Sequence, residues 1–345
     1  MEKIFNIAVI GSSGMGRTHM KGIMNNPNAR IYAACDLHEE NFEKCKEIDP
    51  NIPVFTTDYR TLVNDPNVDA AIVATSDQTH KEITIAFLKA GKPVLCEKPM
   101  ALTLEECEDM MRAEKESGSM LMIGQVCHYA PGFKKAKELV DEGRIGELFF
   151  VESEYAHDYA KRQGVDNWRV TPERNGFIGG GCHAVDLLRW IAGDPIEVCA
   201  YSNHKCLTTW PADDCTIGIY QFPNGVIGKV FASIGCKRKY TMRTVLYGTK
   251  GTIICDNKSP SIQLYEDVGP RPEDGKPSFH YAIDIPVEIN SHNVTAEIEQ
   301  FLEALVAGKA APVSSREGAS TVAVCCATVQ AAHEGHPVKI RYPEV

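Results

Sequence analysis

The chain has 345 residues, 43% of them hydrophobic and 24% charged, a composition of a globular protein long enough for about two domains with their own cores. Its formal net charge of −10 argues against a nucleic-acid partner, and no apolar run approaches the roughly 20 residues that span a bilayer. The thirteen cysteines are scattered, odd in number and without a CxxC pair, and the first residues lead straight into a strand, so free thiols and a cytoplasmic location are expected.

Over the first 125 residues strand and helix patterns alternate. Residues 3–10, 31–35, 54–55, 70–74, 93–96 and 120–123 are short apolar runs that predict strands. Residues 14–25, 39–48, 81–89 and 104–116 predict the helices between them. Gly91 stops the third helix, and Thr103 with Glu106 forms a capping box before the fourth. This alternation predicts an α/β Rossmann domain over residues 1–125, with a parallel sheet and right-handed crossovers. From about Cys127 the pattern changes. Residues 148–155, 196–201, 216–222, 226–233, 243–247 and 252–255 are strand-like, and Asn224-Gly225 is a hairpin turn between two of them. Two late helices, 294–306 and 317–333, follow. Residues 126–345 therefore predict an α+β domain with a mostly antiparallel open sheet, for substrate binding and oligomerisation. Apolar residues on both faces of 217–222 and 226–231 imply that one face packs on helices and the other meets a partner copy.

Directly after the first strand comes Gly11-Ser12-Ser13-Gly14-Met15-Gly16. Gly11 and Gly16 match the first and third glycines of the dinucleotide fingerprint, while Ser13 stands at the middle position. Asp36 ends the second strand, 20 residues past Gly16, where the fingerprint expects a carboxylate for the adenosine ribose. That charge repels the extra phosphate of NADP, and no arginine follows, so NAD is the expected cofactor. Ligands of such sheets bind at the carboxyl ends of the strands. Thr75, Ser76 and His80 after the fourth strand, and Glu97 and Lys98 after the fifth, are therefore expected to line the cofactor cleft.

These residues resemble a known family, the glucose–fructose oxidoreductase/inositol dehydrogenase/rhizopine-catabolism (Gfo/Idh/MocA) oxidoreductases. The resemblance rests on the glycine loop, the A-T-x-x-x-x-H stretch from Ala74 to His80, and the G-K-P-V-L-C-E-K-P-M run at 91–100. It also rests on Gly181-Cys182-His183-Ala184-Val185-Asp186. It implies that Lys98 touches the nicotinamide ribose and the substrate, that Glu97 and Pro99 shape its loop, and that His183 accepts the substrate proton. It implies a homodimer or homotetramer built through the second-domain sheet. One position departs: the aspartate that many relatives carry four residues before the histidine is Gly179 here. Another is His128-Tyr129, where the family often has Arg-Phe, which makes His128 a candidate substrate contact.

A secondary alcohol is oxidised when a base takes its proton and a cation stabilises the alkoxide. His183 and Lys98 fit those roles, and Asp186, one helical turn on, either orients His183 or packs in the helix. Tyr155 and His157 share one side of a strand and are further acid/base candidates. Trp168 is a candidate platform for a sugar face, and Arg169 for its hydroxyls or an acidic group. His157, Cys182 and His183 lack a metal-binding spacing, so no metal is expected. The expected activity is hydride transfer between NAD and a secondary hydroxyl of a sugar, polyol or glycoside. The alternatives are redox-neutral glycoside cleavage through a transient keto-sugar, motivated by the glycine at 179, and a non-catalytic NAD-binding sensor.

Overall fold

The structure is a computed structural model that describes residues 3–345. It divides into two compact units. The first holds the chain up to Val126, with Asn293–Val322 and Tyr342–Val345; the second holds Cys127–His292 and Ala323–Arg341.

In the first unit six strands form one sheet: β1 (Phe5–Ile10), β2 (Ala29–Cys35), β3 (Val54–Thr56), β4 (Ala70–Val73), β5 (Val94–Glu97) and β6 (Leu121–Gly124). Their order is β3-β2-β1-β4-β5-β6, and every pairing is parallel. Every residue of β4, β5 and β6 is buried, which is why these strands read as unbroken apolar runs. The connecting helices are α1 (Gly14–Met24), α2 (Glu40–Lys46), α3 (Arg60–Val63), α4 (His80–Lys89) and α5 (Leu104–Ser117). The capping box is present: Thr103 Oγ1 accepts the Glu106 backbone N–H at 3.2 Å. The strand order reverses between β1 and β4, so the loops beyond their carboxyl ends form the ligand crevice of such a sheet.

The second unit opens with α6 (Pro131–Asp141) and includes α7 (Cys182–Ala192). Its sheet has nine strands: β7 (Leu148–Ala156), β8 (Glu197–Asn203), β9 (Cys215–Gln221), β10 (Ile227–Ser233), β11 (Thr241–Gly248), β12 (Gly251–Asp256), β13 (Ser261–Glu266), β14 (Ile283–Pro286) and β15 (Val338–Lys339). The order is β14-β13-β12-β11-β7-β10-β9-β8-β15. Only β7 with β10 is parallel, so the sheet is mixed and mostly antiparallel. Between β9 and β10 the expected turn is present, with Gly225 at φ +84°. One face of the sheet packs on α7, which lies against β7 and β10. The opposite face keeps Tyr201, Ile219 and Ile227 at least half exposed.

The last helices are α8 (Val294–Ala307) and α9 (Ser315–Glu334). A linear division at residue 125 places both in the second domain. Instead α8 packs on α1 of the first unit, and the boundary falls within α9. β13, β14 and β15 lie outside the runs predicted from the sequence, although β13 alternates regularly, with Ile262 and Leu264 buried. Among the described residues no helix is long and apolar enough to cross a membrane.

Candidate active site

The crevice end of the first unit is built on glycines that admit no side chain. A Cβ on Gly11 would lie 2.5 Å from the Ala74 carbonyl oxygen, and one on Gly16 would lie 1.9 Å from that of Gly11. Gly11 also has φ +86°, which favours glycine. Gly14, by contrast, has open space before it. Ser13 is the N-cap of α1, and its side chain makes no cap hydrogen bond. The first N–H groups of the helix thus suit a pyrophosphate. Ser12 is turned the other way: it is buried, and its hydroxyl donates to the Cys35 carbonyl at 2.9 Å. Its side chain braces β1 on β2 and does not face a ligand, contrary to expectation. Asp36 stands at the end of β2, where its Oδ1 accepts the His38 backbone N–H at 3.0 Å. Open space at Gly14, the uncapped helix start and the carboxylate at Asp36 together fit NAD.

The two loops beyond β4 and β5 are tied together from behind. His80 is buried, with Nδ1 2.9 Å from the Pro99 carbonyl and Nε2 3.3 Å from that of Thr75. Burial opposes its charge, but Cys96, Asp77 and the Pro99 carbonyl prevail and push its pKa up to about 9. His80 is therefore a strut between loops rather than a ligand contact. Thr75 and Ser76 are only half-buried, and the Thr79 hydroxyl donates to Thr75 Oγ1 at 2.8 Å. Glu97 likewise points inward: its Oε1 lies 2.8 Å from His19 Nε2, and its Oε2 accepts the Lys98 backbone N–H at 3.2 Å. Burial works against the ionised carboxyl, yet His19 and then Lys98 hold its pKa below the usual value. Glu97 shapes the loop and leaves Lys98, half-buried, as its functional group.

In the second unit His183, 2% exposed at the start of α7, is enclosed by other ionisable groups. Its Nδ1 lies 3.3 Å from Cys127 Sγ. Its ring stacks on Tyr155 at 6.0 Å between centroids and meets His292 edge-on at 5.5 Å. Tyr155 Oη lies 2.7 Å from Tyr159 Oη and 3.2 Å from His157 Nδ1. Burial and the charge of Tyr159 raise the Tyr155 pKa well above that of a free phenol. Burial, followed by Arg162, His292 and Arg169, lowers that of His157 to about 4, so this ring is neutral at neutral pH. Tyr240 lies over the His157 ring at 4.6 Å. The expected Tyr155, His157 and His183 thus come together, and Cys127, Tyr159, Tyr240 and His292 join them. None of these four was named as a site residue from the sequence; Cys127, Tyr240 and His292 come from segments far apart in the chain, and only the fold collects them.

Two expectations change. Asp186 pairs with His128, Oδ2 to Nε2 at 2.9 Å, and His128 stacks on Trp190 at 4.2 Å. Nearly buried, this pair locks α7 to the segment before α6, and His128 has little surface to offer a substrate. Trp168 has the Arg169 and Arg174 guanidinium carbons 4.1 and 5.0 Å from its ring centroid, so cations already cover part of it. Gly179 lies in a π-helical turn just before α7, against Arg174.

Residues 5–125 match the family described as an oxidoreductase family with an NAD-binding Rossmann fold. Residues 133–254 match its companion, the GFO/IDH/MocA C-terminal domain. A myo-inositol 2-dehydrogenase of Thermotoga maritima is 27% identical over 97% of this chain and 98% of its own. An inositol 2-dehydrogenase 2 of Saccharopolyspora erythraea is 29% identical over 80% of this chain and 81% of its own. A levoglucosan dehydrogenase solved with NADH superposes with a TM-score of 0.89 at 21% identity, over 99% of this chain and 100% of that one. The NAD-compatible crevice and both family matches place the chain in the Gfo/Idh/MocA family of oxidoreductases.

Proposed function

We propose that the protein transfers hydride between NAD and a secondary hydroxyl of a sugar or polyol, with Lys98 and His183 as its chemical groups. The observation that carries this reading is the buried His183, held by Cys127 and faced by Tyr155 and His292, in a chain that also carries an NAD-binding Rossmann unit. The relatives named for inositol and the structure named for levoglucosan fit this class of polyhydroxylated substrate. NAD, when bound, supplies the hydride acceptor. The Lys98 ammonium stabilises negative charge on the substrate oxygen, and His183 takes the hydroxyl proton at Nε2 while Nδ1 stays against Cys127. Tyr155 and His157, joined by their own hydrogen bond, are the further acid/base groups beside it. Trp168, Arg169 and the helix start at Ser13 complete the proposed substrate and cofactor contacts.

The Tyr155–Tyr159–His157 cluster favours a second reading, because it supplies acid/base groups beyond the two that simple alcohol oxidation needs. In that reading a glycoside is oxidised transiently, cleaved and reduced again. One experiment separates the two: NADH formation against a panel of polyols, sugars and aryl glycosides, read beside aglycone release. NADH without aglycone supports the dehydrogenase, and aglycone without net NADH supports cleavage. If neither appears, both readings fail.

The outward face of the second-unit sheet is proposed as the self-association surface. By register, Cys199, Ile219, Lys229 and Glu152 form one row across four strands, and Tyr201, Ile217, Phe231 and Glu154 form the next. Apolar residues at one end and Lys229 with Glu152 in an ion pair at the other suit a homodimer or homotetramer. The free cysteines fit a reducing compartment such as the cytoplasm.

A further inference from the structure

Beneath the Lys98 loop lies a cluster that the proposed chemistry leaves unused. His19 on α1, Glu97 at the end of β5 and Glu297 on α8 are 0%, 5% and 0% exposed, and one ligand atom from each lies within 4.8 Å of the others. His19 Nε2 and Glu97 Oε1 form a direct pair at 2.8 Å. Both oxygens of Glu297 and Nδ1 of His19 meet no hydrogen-bond partner. The two helices approach closely at Gly22, where a Cβ would come within 3.2 Å of Ile298. The other ionisable groups at this loop are Lys98, Cys96 and His80.

An ionised carboxylate taken out of water without hydrogen bonds is very unfavourable, and two of them side by side do not both stay charged. Burial first, and then the charge of Glu97, push the Glu297 carboxyl well above the usual range, with Lys98 acting in the opposite direction. The three donors could also hold a divalent cation, but His19 and Glu97 already spend their facing atoms on each other, and the Lys98 ammonium disfavours a second cation.

We propose that Glu297 is a protonated carboxylic acid in the resting protein, buried beside the His19–Glu97 pair, so that one net negative charge, not two, lies behind the Lys98 loop. Glu297 is on this view a positioning residue for Lys98, and the proposal rests on the role assigned to Lys98 above. A carboxamide copies the shape and the donor of a protonated acid; it does not copy an ionised one or a metal ligand.

The test compares wild type, Glu297→Gln and Glu297→Ala by infrared difference spectroscopy and by NADH fluorescence titration from acid to alkaline pH. The wild type should show the carbonyl band of a buried carboxylic acid at neutral pH, and Glu297→Gln should lose it. Glu297→Ala, which leaves a void and removes the neutral donor beneath the loop, should weaken NADH binding by about tenfold, and Glu297→Gln should restore most of it. Absence of the acid band, Glu297→Gln as damaging as Glu297→Ala, or a stoichiometric metal in the purified protein by elemental analysis would each overturn the proposal. If the wild type binds no NADH, the cofactor reading fails while the infrared band still decides the proton. That band also keeps the test decisive if Glu297→Ala does not fold.

Discussion

The guanidinium of Arg174 fills the space in front of Gly179: a Cβ on that glycine would lie 2.1 Å from one guanidinium nitrogen and 2.2 Å from the central carbon. Gly179, where the resemblance implies an aspartate in many relatives, is thus kept without a side chain by the guanidinium beside it. Arg174 is 4% exposed and lies by the Trp168 ring, so it cannot simply swing into solvent. Gly179→Ala should cost about 1–3 kcal/mol, the usual range for overpacking. In an Arg174→Ala background the same change should cost almost nothing, or even stabilise the helical turn. A double-mutant cycle in urea measures this coupling, and additive effects would show that the two residues are independent.

Cofactor preference follows from Asp36. Placed at the end of β2 with its side chain fixed by the His38 N–H, it sets a negative charge where NADP carries a phosphate. Asp36→Ala should raise NADP affinity by about tenfold or more, the gain expected when like charges are separated, and lower NAD affinity. Titration calorimetry with both cofactors measures this; tighter NADP binding by the wild type would contradict it.

The His80 strut makes stability depend on pH. Its folded pKa of about 9 lies above the ordinary value of 6.5. The sign follows: the stabilisation is fully present below about pH 6.5 and is lost as pH rises through about 9. Melting curves from pH 6 to 10 should show the wild type losing stability toward the alkaline end. His80→Gln should start lower and vary less over that window. Parallel curves for the two proteins would remove the charged-strut explanation.

Much of the first unit was legible because β4, β5 and β6 are buried throughout and read as unbroken apolar runs, so pattern and position coincide. The glycine loop, Asp36 and the Thr103 cap all depend on local backbone geometry, which local sequence encodes. The pocket around His183 was legible only in part. Tyr155 and His157 follow from strand alternation, but Cys127, Tyr240 and His292 reach it from a 3-10 turn, from the residue before β11 and from the loop before α8. His128 misled for a related reason: its partner Asp186 lies 58 positions away, and only packing brings the two within 2.9 Å. The same applies to α8, whose return to the first unit brings Glu297 to His19.

The open face of the second sheet should govern assembly. Ile219 is 53% exposed in the middle of a row of sheet residues, and a charge there would have to be buried in any partner contact. Light scattering at micromolar concentration should give a dimer or tetramer for the wild type and a smaller species for Ile219→Asp, with the fold kept by circular dichroism. A monomeric wild type would refute the surface assignment.

Lys98 and His183 carry the heaviest expectation. Lys98→Ala removes a cation at the point where negative charge develops, and such a loss costs about 10²–10³ in turnover. Because Lys98 is half-buried and its loop is held by Glu97 and His80, this variant should keep its melting temperature. His183 is enclosed by Cys127, Tyr155 and His292, so truncation to alanine would also open a cavity. His183→Asn is the cleaner change, and loss of a general base costs about 10²–10⁴. If Lys98→Ala keeps wild-type turnover on a confirmed substrate, the alkoxide-stabilising role is wrong. If only His183→Asn is silent, the base lies elsewhere in the cluster. His157 is then the first candidate, because its pKa of about 4 leaves it neutral and able to accept a proton at neutral pH. Its signature would be a rate that falls only as the pH drops toward about 4.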